Sequence, residues 1–566
     1  MKISSVLECE VLVAGAGLAG LRAAKDLNNR GIDTILVSRG PLCSGSSFYP
    51  LTAALGSQNP SSEEDKKDYL AEVLETGCTV ADEKMVRMII DRIPEEIRRL
   101  PELSIQPERL EAGRPACFAK KKRILYTWGN WNKVRKGVTR SFAMLPELRV
   151  LPYTDLLYLH KEDGRIAGAL VCGKDGSISY IKAKAVILAT GGTCGLYKHC
   201  LNVDETVGTG HSLAMAAGAS LINMEFLQFI PGFTKPVYKL LFSETTLRRA
   251  HSVRNADGED ALKAYLKAHG NGTTEGECLW DRALHGPFTT EDKSKYFELA
   301  LMEDAGKHHR ECGFEIRFEP GIAADPNGFI RKAREMYAPY DIDLSKDPIW
   351  LSSFAHCSNG GILINEKAET GVPGLYAAGE AAGGIHGADR HGGMATSAAL
   401  VFGAVAAESA AVYVRTAGRP SSETEDAEAL TAFIKFISNT TEISEDKYVN
   451  SSMKETVPPS TVMEELAGSL WYNANCLRNG QGLTEILALI DRLSKQYSAV
   501  RAIEEGHGVK EAVKAFHALR TAKAMVTAML LRKESRGPHY RSDCPEKDAA
   551  MDGKRILITE KGVEII

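Results

Sequence analysis

A glycine motif of the form GxGxxG, placed between an apolar run and a helix-forming segment, constrains this chain most strongly. Residues 10–24 read EVLVAGAGLAGLRAA. Gly15 permits a tight turn, Gly17 lets the backbone approach a pyrophosphate, and Gly20 lets the next helix pack on the strand. Residues 33–38 give a second strand at the separation that a βαβ unit requires. The motif therefore predicts an α/β, Rossmann-like domain that binds a dinucleotide.

The end of the second strand indicates which dinucleotide is bound. It closes with Ser38 and Arg39 instead of the acidic residue that would bind the ribose of NAD. The following residues, 43–56, read CSGSSFYPLTAALG and are rich in small side chains and hydroxyls. Such a segment suits a backbone that wraps a large planar ligand, although a plain surface loop has the same composition.

Two later segments repeat the pattern of a buried strand followed by a glycine turn. Residues 185–192 read AVILATGG, and residues 374–383 read GLYAAGEAAG with an acid inside the turn. Three such segments predict one extended dinucleotide.

Composition excludes several classes of protein. With 566 residues, 44% hydrophobic and 25% charged, the chain is long enough for two or three globular domains. A net charge of −4 provides no basic field for nucleic acid. The twelve cysteines are scattered without CxxC pairs, which disfavours a metal or haem site and indicates reduced thiols. We expect a cytoplasmic protein, because we find neither a secretory leader nor an uninterrupted apolar stretch of about 18 residues.

The order of the motifs resembles the flavoprotein subunits of the succinate dehydrogenase and fumarate reductase family, which includes L-aspartate oxidase. The resemblance runs nearly end to end. Its carriers are GAGLAG, LVSRG, ATGG, TVGTGHSLAMAAGASLINMEFLQF at 206–229, HGADR at 386–390, WYN at 471–473, RNGQGL at 478–483 and RKESRGPHY at 532–540.

This resemblance implies an FAD-binding domain with an inserted α+β capping domain and a C-terminal helical domain. We place the FAD-binding domain at 1–222 and 345–415, the capping domain at 223–344 and the helical domain at 416–566. The composition agrees, since residues 255–345 are rich in charged and helix-forming residues without a glycine turn. Residues 425–535 contain amphipathic helical patterns.

The resemblance also implies the site. His356 and Arg390 correspond to the pair that holds a substrate carboxylate, and Ser243 with Glu244 corresponds to a substrate-binding hydroxyl and an acid on a proton route. Glu380 resembles the acid that binds the ribityl chain. Ser397 lies where the isoalloxazine is approached, although a helix cap is an equal alternative. The predicted cofactor-binding residues are Gly15, Gly17, Ala19, Gly20, Ser38, Arg39, Ser46, Ser47, Ala54, Gly56, Asp155, Thr190, Gly191, Glu380, Arg390 and Ser397.

Three positions depart from the family pattern. Members with covalent FAD carry a histidine where residues 44–47 read SGSS, so we expect noncovalent FAD. The family's QFHPT is QFIPG here, and Ile230 replaces a histidine that helps to hold the second carboxylate. The family's catalytic arginine has no clear counterpart in residues 283–298, where the simplest register places Glu291. Arg282 and His285 are nearby.

We therefore predict an FAD-dependent oxidoreductase that acts on a CH–CH bond of a small carboxylate- or carbonyl-activated molecule with an apolar far side. One alternative is an amino-acid oxidase resembling L-aspartate oxidase. Another is an electron-transfer protein within a complex, as in adenylylsulfate reductase. Either enzyme needs an external electron donor or acceptor, and a separate iron–sulfur or flavin protein is the expected partner.

Overall fold

The computed structural model describes residues 1–52, 54–110, 115–418, 425–438 and 456–566. The helices are α1 (Leu18–Asn29), α2 (Glu63–Thr76), α3 (Glu83–Arg99), α4 (Trp131–Phe142), α5 (Thr209–Ala217), α6 (Ala261–His269), α7 (Glu275–Arg282), α8 (Lys295–His308), α9 (Gly328–Tyr337), α10 (Met394–Thr416), α11 (Glu425–Ile437), α12 (Pro459–Asn473), α13 (Gly480–Gln496), α14 (Ala499–Glu504) and α15 (Val509–Leu531). The strands are β1 (Ile3–Ala14), β2 (Thr34–Ser38), β3 (Ala54–Asn59), β4 (Glu108–Leu110), β5 (Ile124–Gly129), β6 (Leu148–Pro152), β7 (Asp155–Glu162), β8 (Arg165–Cys172), β9 (Ile178–Leu188), β10 (Leu221–Ile222), β11 (Leu227–Lys235), β12 (Ala250–Arg254), β13 (Phe314–Phe318), β14 (Ile349–Ser358), β15 (Gly361–Leu363), β16 (Leu375–Ala377), β17 (Ala382–Gly383), β18 (Leu477–Arg478), β19 (Tyr540–Arg541), β20 (Ile556–Thr559) and β21 (Gly562–Ile565).

A seven-stranded sheet forms the centre of the first domain. Its order is β6-β2-β1-β9-β8-β7, and β16 pairs with β9 beyond the point where β8 leaves it. Strands β6, β2, β1, β9 and β16 are mutually parallel, so their carboxyl ends meet at one edge. The buried apolar runs in β1 and β9 suit a parallel sheet that is covered by helices. This arrangement places the three glycine turns side by side.

Helix α10 packs against α1 and the central sheet. By length and composition alone, it is apolar enough to cross a membrane. However, 78% of its most apolar window is buried inside the protein, which is typical of a core helix. The predicted absence of an uninterrupted apolar stretch of about 18 residues is unaffected, because Ser397 and Glu408 interrupt the apolar residues of this helix.

The capping part is built on a four-stranded antiparallel sheet in the order β11-β14-β13-β12. Helices α6 to α9 lie in the same stretch of chain. Strand β14 follows residue 345, yet it pairs with β11 and β13 on the capping side. The sheet therefore draws strands from both sides of the predicted boundary at 344, and the division into four domains stays a prediction.

The C-terminal part contains helices α12 to α15, but it also adds strands to the rest of the protein. Strands β20 and β21 extend the sheet of β10, β15 and β17. Buried Arg532 donates to Glu225 Oε1 at 2.6 Å and to Glu534 Oε1 at 2.8 Å. These pairs fasten the C-terminal segment beside the start of β11, because a buried guanidinium needs paired carboxylates.

Candidate functional site

The first glycine turn has the close backbone contacts that its sequence predicts. Gly15 has a φ of +115°, and a Cβ there would lie 2.1 Å from the Ala189 carbonyl oxygen. A Cβ on Gly20 would lie 1.8 Å from the Gly15 carbonyl oxygen. Both positions therefore require glycine, and the turn brings the N-terminus of α1 against the second glycine segment. A helix N-terminus presents free N–H groups to an anion.

A cavity of about 330 Å³ opens at this edge of the central sheet. All three glycine segments line it, together with the end of β2, the 44–47 segment and residues 203–209. Its shape follows the edge where the parallel strands end, which is where α/β sheets bind nucleotides.

Three hydroxyl groups of the cavity lining have no protein partner among the described residues. They are Ser46 Oγ, Thr190 Oγ1 and Thr209 Oγ1, and all three are buried. Ser47 Oγ instead accepts a hydrogen bond from the Leu18 amide at 3.3 Å. Buried hydroxyls without partners are costly, so the lining fits a polar, phosphate-bearing ligand such as a dinucleotide.

The predicted cofactor-binding residues divide into two groups. Those that line the cavity are Gly15, Gly17, Ala19, Ser38, Arg39, Ser46, Ser47, Asp155, Thr190, Gly191 and Glu380. Gly20, Gly56, Arg390 and Ser397 lie outside it, and the side chain of Ala54 lies outside the described part of the chain. Gly20 serves the packing of α1 on the turn.

Apart from Gly20 on α1, the positions outside the cavity belong to β3 or to the segment at the start of α10. Ala54 begins β3, and Gly56 pairs with Thr127 within that sheet. Ser397 Oγ donates to the Gly393 carbonyl at 3.1 Å and lies 2.8 Å from Ser57 Oγ. The residue at the N-cap of α10 is Gly393, so the helix-cap interpretation of Ser397 is wrong.

Arg39 and Asp155 form an ion pair at the cavity wall. The Arg39 Nε donates to Asp155 Oδ2 at 2.7 Å, and Lys510 Nζ lies 3.2 Å from Asp155 Oδ1. The position that would be acidic in an NAD site is therefore a cation, and the nearby acid comes from β7.

His356 lies at a β-bulge in β14. Gln228 pairs with Cys357 and Phe229 pairs with Ala355, which leaves His356 as the extra residue. Bulges redirect side chains and are common beside active sites. The His356 Nδ1 is buried without a partner among the described residues. Burial and the Arg390 charge lower the pKa of His356 to about 3, so its imidazole is neutral.

Arg390 follows β17 in residues 384–393, which we term the Arg390 loop. In the described part of the chain, its guanidinium has no carboxylate within ion-pair distance, and its buried Nε has no hydrogen bond. A second imidazole, His386, also has a buried Nδ1 without a partner, and burial with the Arg390 charge lowers its pKa to about 3. One cation and two neutral imidazoles therefore share this region.

Ser243 and Glu244 lie across the capping part. The Ser243 amide donates to the Tyr337 hydroxyl at 2.8 Å, and Glu244 begins a short 3-10 helix. The Glu244 Oε2 would be 3.9 Å from a Cβ on Gly286. The structure therefore places this pair beside residue 286, and it gives no direct contact between the Ser243 hydroxyl and Arg390 or His356.

Three capping residues near the position of the missing arginine form hydrogen bonds or ion pairs with other groups of the protein. Arg282 is buried, lies 2.6 Å from Glu298 and donates to the Gly286 carbonyl at 2.6 Å. His285 Nε2 lies 2.9 Å from Asp292 Oδ2. Glu291 pairs with Lys547 and accepts from the Gly537 amide at 3.3 Å. Because each of them is engaged with the protein, none matches the role of a free cationic proton carrier.

Ile230 belongs to a small apolar cluster that we term the apolar wall: Leu201, Ile230, Phe354 and Leu241. Ile230 pairs with Phe354, which lies two positions before His356 on β14. The wall therefore borders the strand that carries the candidate carboxylate-binding histidine.

Comparison with known families covers most of the chain. The FAD binding domain family matches residues 10–396, which is more than half of the 566 residues, and the fumarate reductase flavoprotein C-terminal family matches residues 463–565. The chain belongs to the succinate dehydrogenase and fumarate reductase flavoprotein family. It is an FAD-dependent oxidoreductase, which confirms the predicted cofactor, fold class and enzyme class.

Relatives of this flavoprotein align over nearly their whole lengths. A fumarate reductase (CoM/CoB) subunit from Methanothermobacter marburgensis is 26% identical over 99% of this chain and 98% of its own. The L-aspartate oxidase of Caulobacter vibrioides is 28% identical over 98% and 96%. The Mycobacterium smegmatis Sdh1 complex shares the fold, with a TM-score of 0.78, 24% identity and coverage of 99% and 94%.

Sequence reasoning missed three groups, two within the Arg390 loop of this flavoprotein and one packed against it. They are His386, Asp389 and Thr289, and Thr289 Oγ1 donates to Asp389 Oδ2 at 2.6 Å. The motif HGADR differs from the family's HGANR at Asp389, and this difference was the available signal. Nothing in the local sequence indicates that Thr289 lies against it.

Proposed function

We propose that this flavoprotein acts on a CH–CH bond beside a carboxylate or carbonyl group, and that the rest of its substrate is apolar. The observation that carries the proposal is Arg390, a guanidinium without a carboxylate partner in the described chain, accompanied by two neutral imidazoles. A partly buried guanidinium that makes no ion pair in the described chain favours an anion as its ligand.

Arg390 and His356 can each bind a substrate carboxylate, in different ways. Arg390 offers a planar fork that suits bidentate contact with a carboxylate, and neutral His356 can donate a hydrogen bond to the same group. Bound FAD supplies two-electron hydride chemistry at its flavin ring. The capping part excludes water, which strengthens these polar contacts.

The apolar wall argues against a standard dicarboxylate. A second carboxylate placed against Ile230 and Phe354 would lose its hydration without a compensating cation. A saturated or α,β-unsaturated monocarboxylate, or an enone, avoids this cost.

The proton route is the part that the family pattern leaves open. Arg282, His285 and Glu291 are each held by other protein groups. The family resemblance predicts Glu244 on a proton route, and its carboxylate lies beside residue 286 of the same part, so we assign the proton route to Glu244.

The test uses the purified holoprotein, reduced anaerobically with dithionite. Mixing it with fumarate, crotonate or cinnamate, each alone, and following flavin absorbance gives the rate of flavin reoxidation. We expect crotonate or cinnamate to reoxidise the flavin faster than fumarate. A fumarate rate equal to that of the apolar acids would overturn the substrate class.

A second candidate is an amino-acid oxidase, favoured by full-length similarity to L-aspartate oxidase. It would use His356 and Arg390 in the same way and pass electrons to oxygen. Peroxide formation from L-aspartate in air, absent in the Arg390→Ala variant, would favour this candidate.

A third candidate concerns the electron partner. The archaeal relative is named as one subunit of a larger enzyme. We propose a separate iron–sulfur or flavin protein as partner, with adenylylsulfate reductase-type chemistry as a further alternative. Isolation of the tagged flavoprotein from its own cells, followed by iron and sulfide analysis of copurified chains, tests this arrangement.

A further inference from the structure

Three parts of the chain meet at Asp389. From the capping part, Thr289 Oγ1 donates to Asp389 Oδ2 at 2.6 Å. From the C-terminal part, Gly537 packs so closely that a Cβ there would lie 3.2 Å from both the Asp389 amide nitrogen and its Oδ2. The Thr290 amide donates to the Gly537 carbonyl at 2.8 Å, which links the two approaching segments. Asp389 therefore holds residues 286–293, here termed the lid segment, against the Arg390 loop.

The carboxyl group of Asp389 is enclosed. It is 2% exposed, and its Oδ1 has no hydrogen bond among the described residues. Gln228 from β11 lies close enough to lower the Asp389 pKa, yet neither of its amide atoms makes a hydrogen bond of normal geometry. If Asp389 is protonated, its carboxyl group can donate a hydrogen bond, which the amide oxygen of Gln228 can accept.

The charges that face Asp389 favour its neutral form. The pKa of Asp389 is raised to about 8. Burial is the largest cause of this rise, and the nearby carboxylates of Glu291 and Asp292 add to it. The hydrogen bond from Thr289 and the proximity of Gln228 oppose this shift. Cys78 also faces Asp389, and burial keeps that thiol protonated by raising its pKa. Arg390 is the next residue, but its side chain makes no ion pair with Asp389 in the described chain.

We propose that Asp389 is a positioning residue that latches the lid segment through Thr289 and fixes the loop that presents Arg390. The latch is a capping-to-core contact between residues 100 positions apart in the chain. That Arg390 binds substrate rests on the proposed function. The latch itself requires only the contacts of Thr289, Asp389 and Gly537.

Protonation gives the latch a pH dependence with a definite sign. In an open lid, a solvated Asp389 has an ordinary pKa near 4, whereas in the closed lid it titrates near 8. The closed form therefore binds the proton more tightly, and raising the pH shifts the balance towards the open form. The shift grows between these two pKa values and levels off above the higher one.

Hydrogen–deuterium exchange of the lid segment in the holoprotein without substrate tests the latch. The Thr289→Val variant keeps the backbone and shape but removes the hydroxyl, and it should exchange about tenfold faster, as loss of one buried hydrogen bond predicts. Thr290→Val is the matched control, because within the described chain the exposed Thr290 hydroxyl bonds only Glu291, while the Thr290 amide makes the Gly537 contact. Its exchange should match the wild type.

The Asp389→Asn variant tests the role of the proton. The asparagine amide can accept and donate the same hydrogen bonds as protonated Asp389, but it does not titrate. Protection of the lid segment against exchange should therefore stay high. After correction for intrinsic exchange, this protection should no longer depend on pH. The Asp389→Ala variant should be unprotected at every pH. Unchanged protection in Thr289→Val, or a wild-type pH dependence in Asp389→Asn, would overturn the latch.

Two readouts separate folding and substrate class from the latch. FAD content and the visible spectrum establish that each variant is folded, and if Asp389→Ala fails to fold, the Asn and Val variants decide. Because the exchange is measured without substrate, a wrong substrate class leaves this test intact. With a turned-over substrate, Thr289→Val should raise KM and lower kcat, whereas the single variant Asp389→Asn should keep both near the wild-type values.

Discussion

His356 is buried beside the Arg390 guanidinium, and burial, together with the smaller effect of that charge, lowers the pKa of its imidazole to about 3. A cation and a neutral donor therefore share one region without neutralising each other. This combination suits a carboxylate ligand, since both groups can donate to it and only one of them carries charge.

Replacement of Arg390 by alanine should reduce turnover by at least about a hundredfold while FAD stays bound, because the substrate loses its only charged anchor. Steady-state kinetics together with the flavin spectrum measure both properties. Lys332→Ala, at an exposed position on α9, is the control and should behave as the wild type. Retained activity in Arg390→Ala would reject the assigned anchor.

Replacement of Ile230 by histidine should shift preference towards dicarboxylates. It supplies a hydrogen-bond donor where the apolar wall stands, so the ratio of fumarate to crotonate turnover should rise by about tenfold, the value of one additional polar contact. Ile230→Leu keeps the wall apolar and should leave the ratio unchanged. An unchanged ratio in Ile230→His would show that the wall does not face the substrate.

FAD should be released completely when the holoprotein is precipitated with acid. Residues 44–47 carry serine and glycine where covalent members of the family carry histidine, and no histidine, cysteine or tyrosine is among the described residues that line the cavity. Flavin absorbance of the supernatant and of the washed pellet measures the release. Flavin that stays in the pellet would contradict noncovalent binding.

Stability should fall as the pH is lowered from about 6.5. Burial lowers the pKa values of His356, His386 and His517 to about 3 and those of His199 and His211 to about 4. In the window between these values and 6.5 the unfolded chain binds more protons, so each buried histidine costs up to about 1.4 kcal/mol per pH unit as the pH falls. Denaturant unfolding across this window measures the slope.

Two single histidine variants test whether buried histidines cause the dependence of the unfolding free energy on pH. His211→Asn should flatten it, whereas His251→Gln, at an exposed position, should not change it. A slope that is equal in the wild type and in His211→Asn would assign acid sensitivity to other groups.

Gly20→Ala should destabilise the cofactor domain by about 1–3 kcal/mol or more and weaken FAD binding, because its Cβ would collide with the Gly15 carbonyl oxygen. Gly321→Ala is the matched control, since a Cβ there would have no neighbour within 4 Å. Urea unfolding and flavin content measure the two effects. Equal stability of the two variants would contradict the packing role of Gly20.

The cofactor end of the molecule was predictable from sequence because its determinants are local. A strand, a glycine turn and a helix follow one another directly within residues 3–29, and the close contacts of Gly15 and Gly20 follow from that connection. The length of the first strand was less predictable. The apolar run before the glycine turn lies in the segment that starts at Glu10, but β1 begins at Ile3, since polar residues can occupy the end of a strand that pairs with β9.

The capping side was less predictable, because its contacts join residues far apart in the chain. Alignment register suggested Glu291 at the arginine position, but packing turns its carboxylate towards Lys547 and Gly537. The contact between Thr289 and Asp389 depends on how the lid segment meets the Arg390 loop, and neither local pattern specifies it.

The placement of His356 on β14 has a mechanical consequence. Strand β14 belongs to the capping sheet, whereas Arg390 precedes α10 in the core of the cofactor domain. A single carboxylate that binds both side chains would link the capping sheet to the cofactor domain. The free energy of ligand binding would then also stabilise the closed form of the protein. Ligands that reach only one of the two groups would bind without closing the protein.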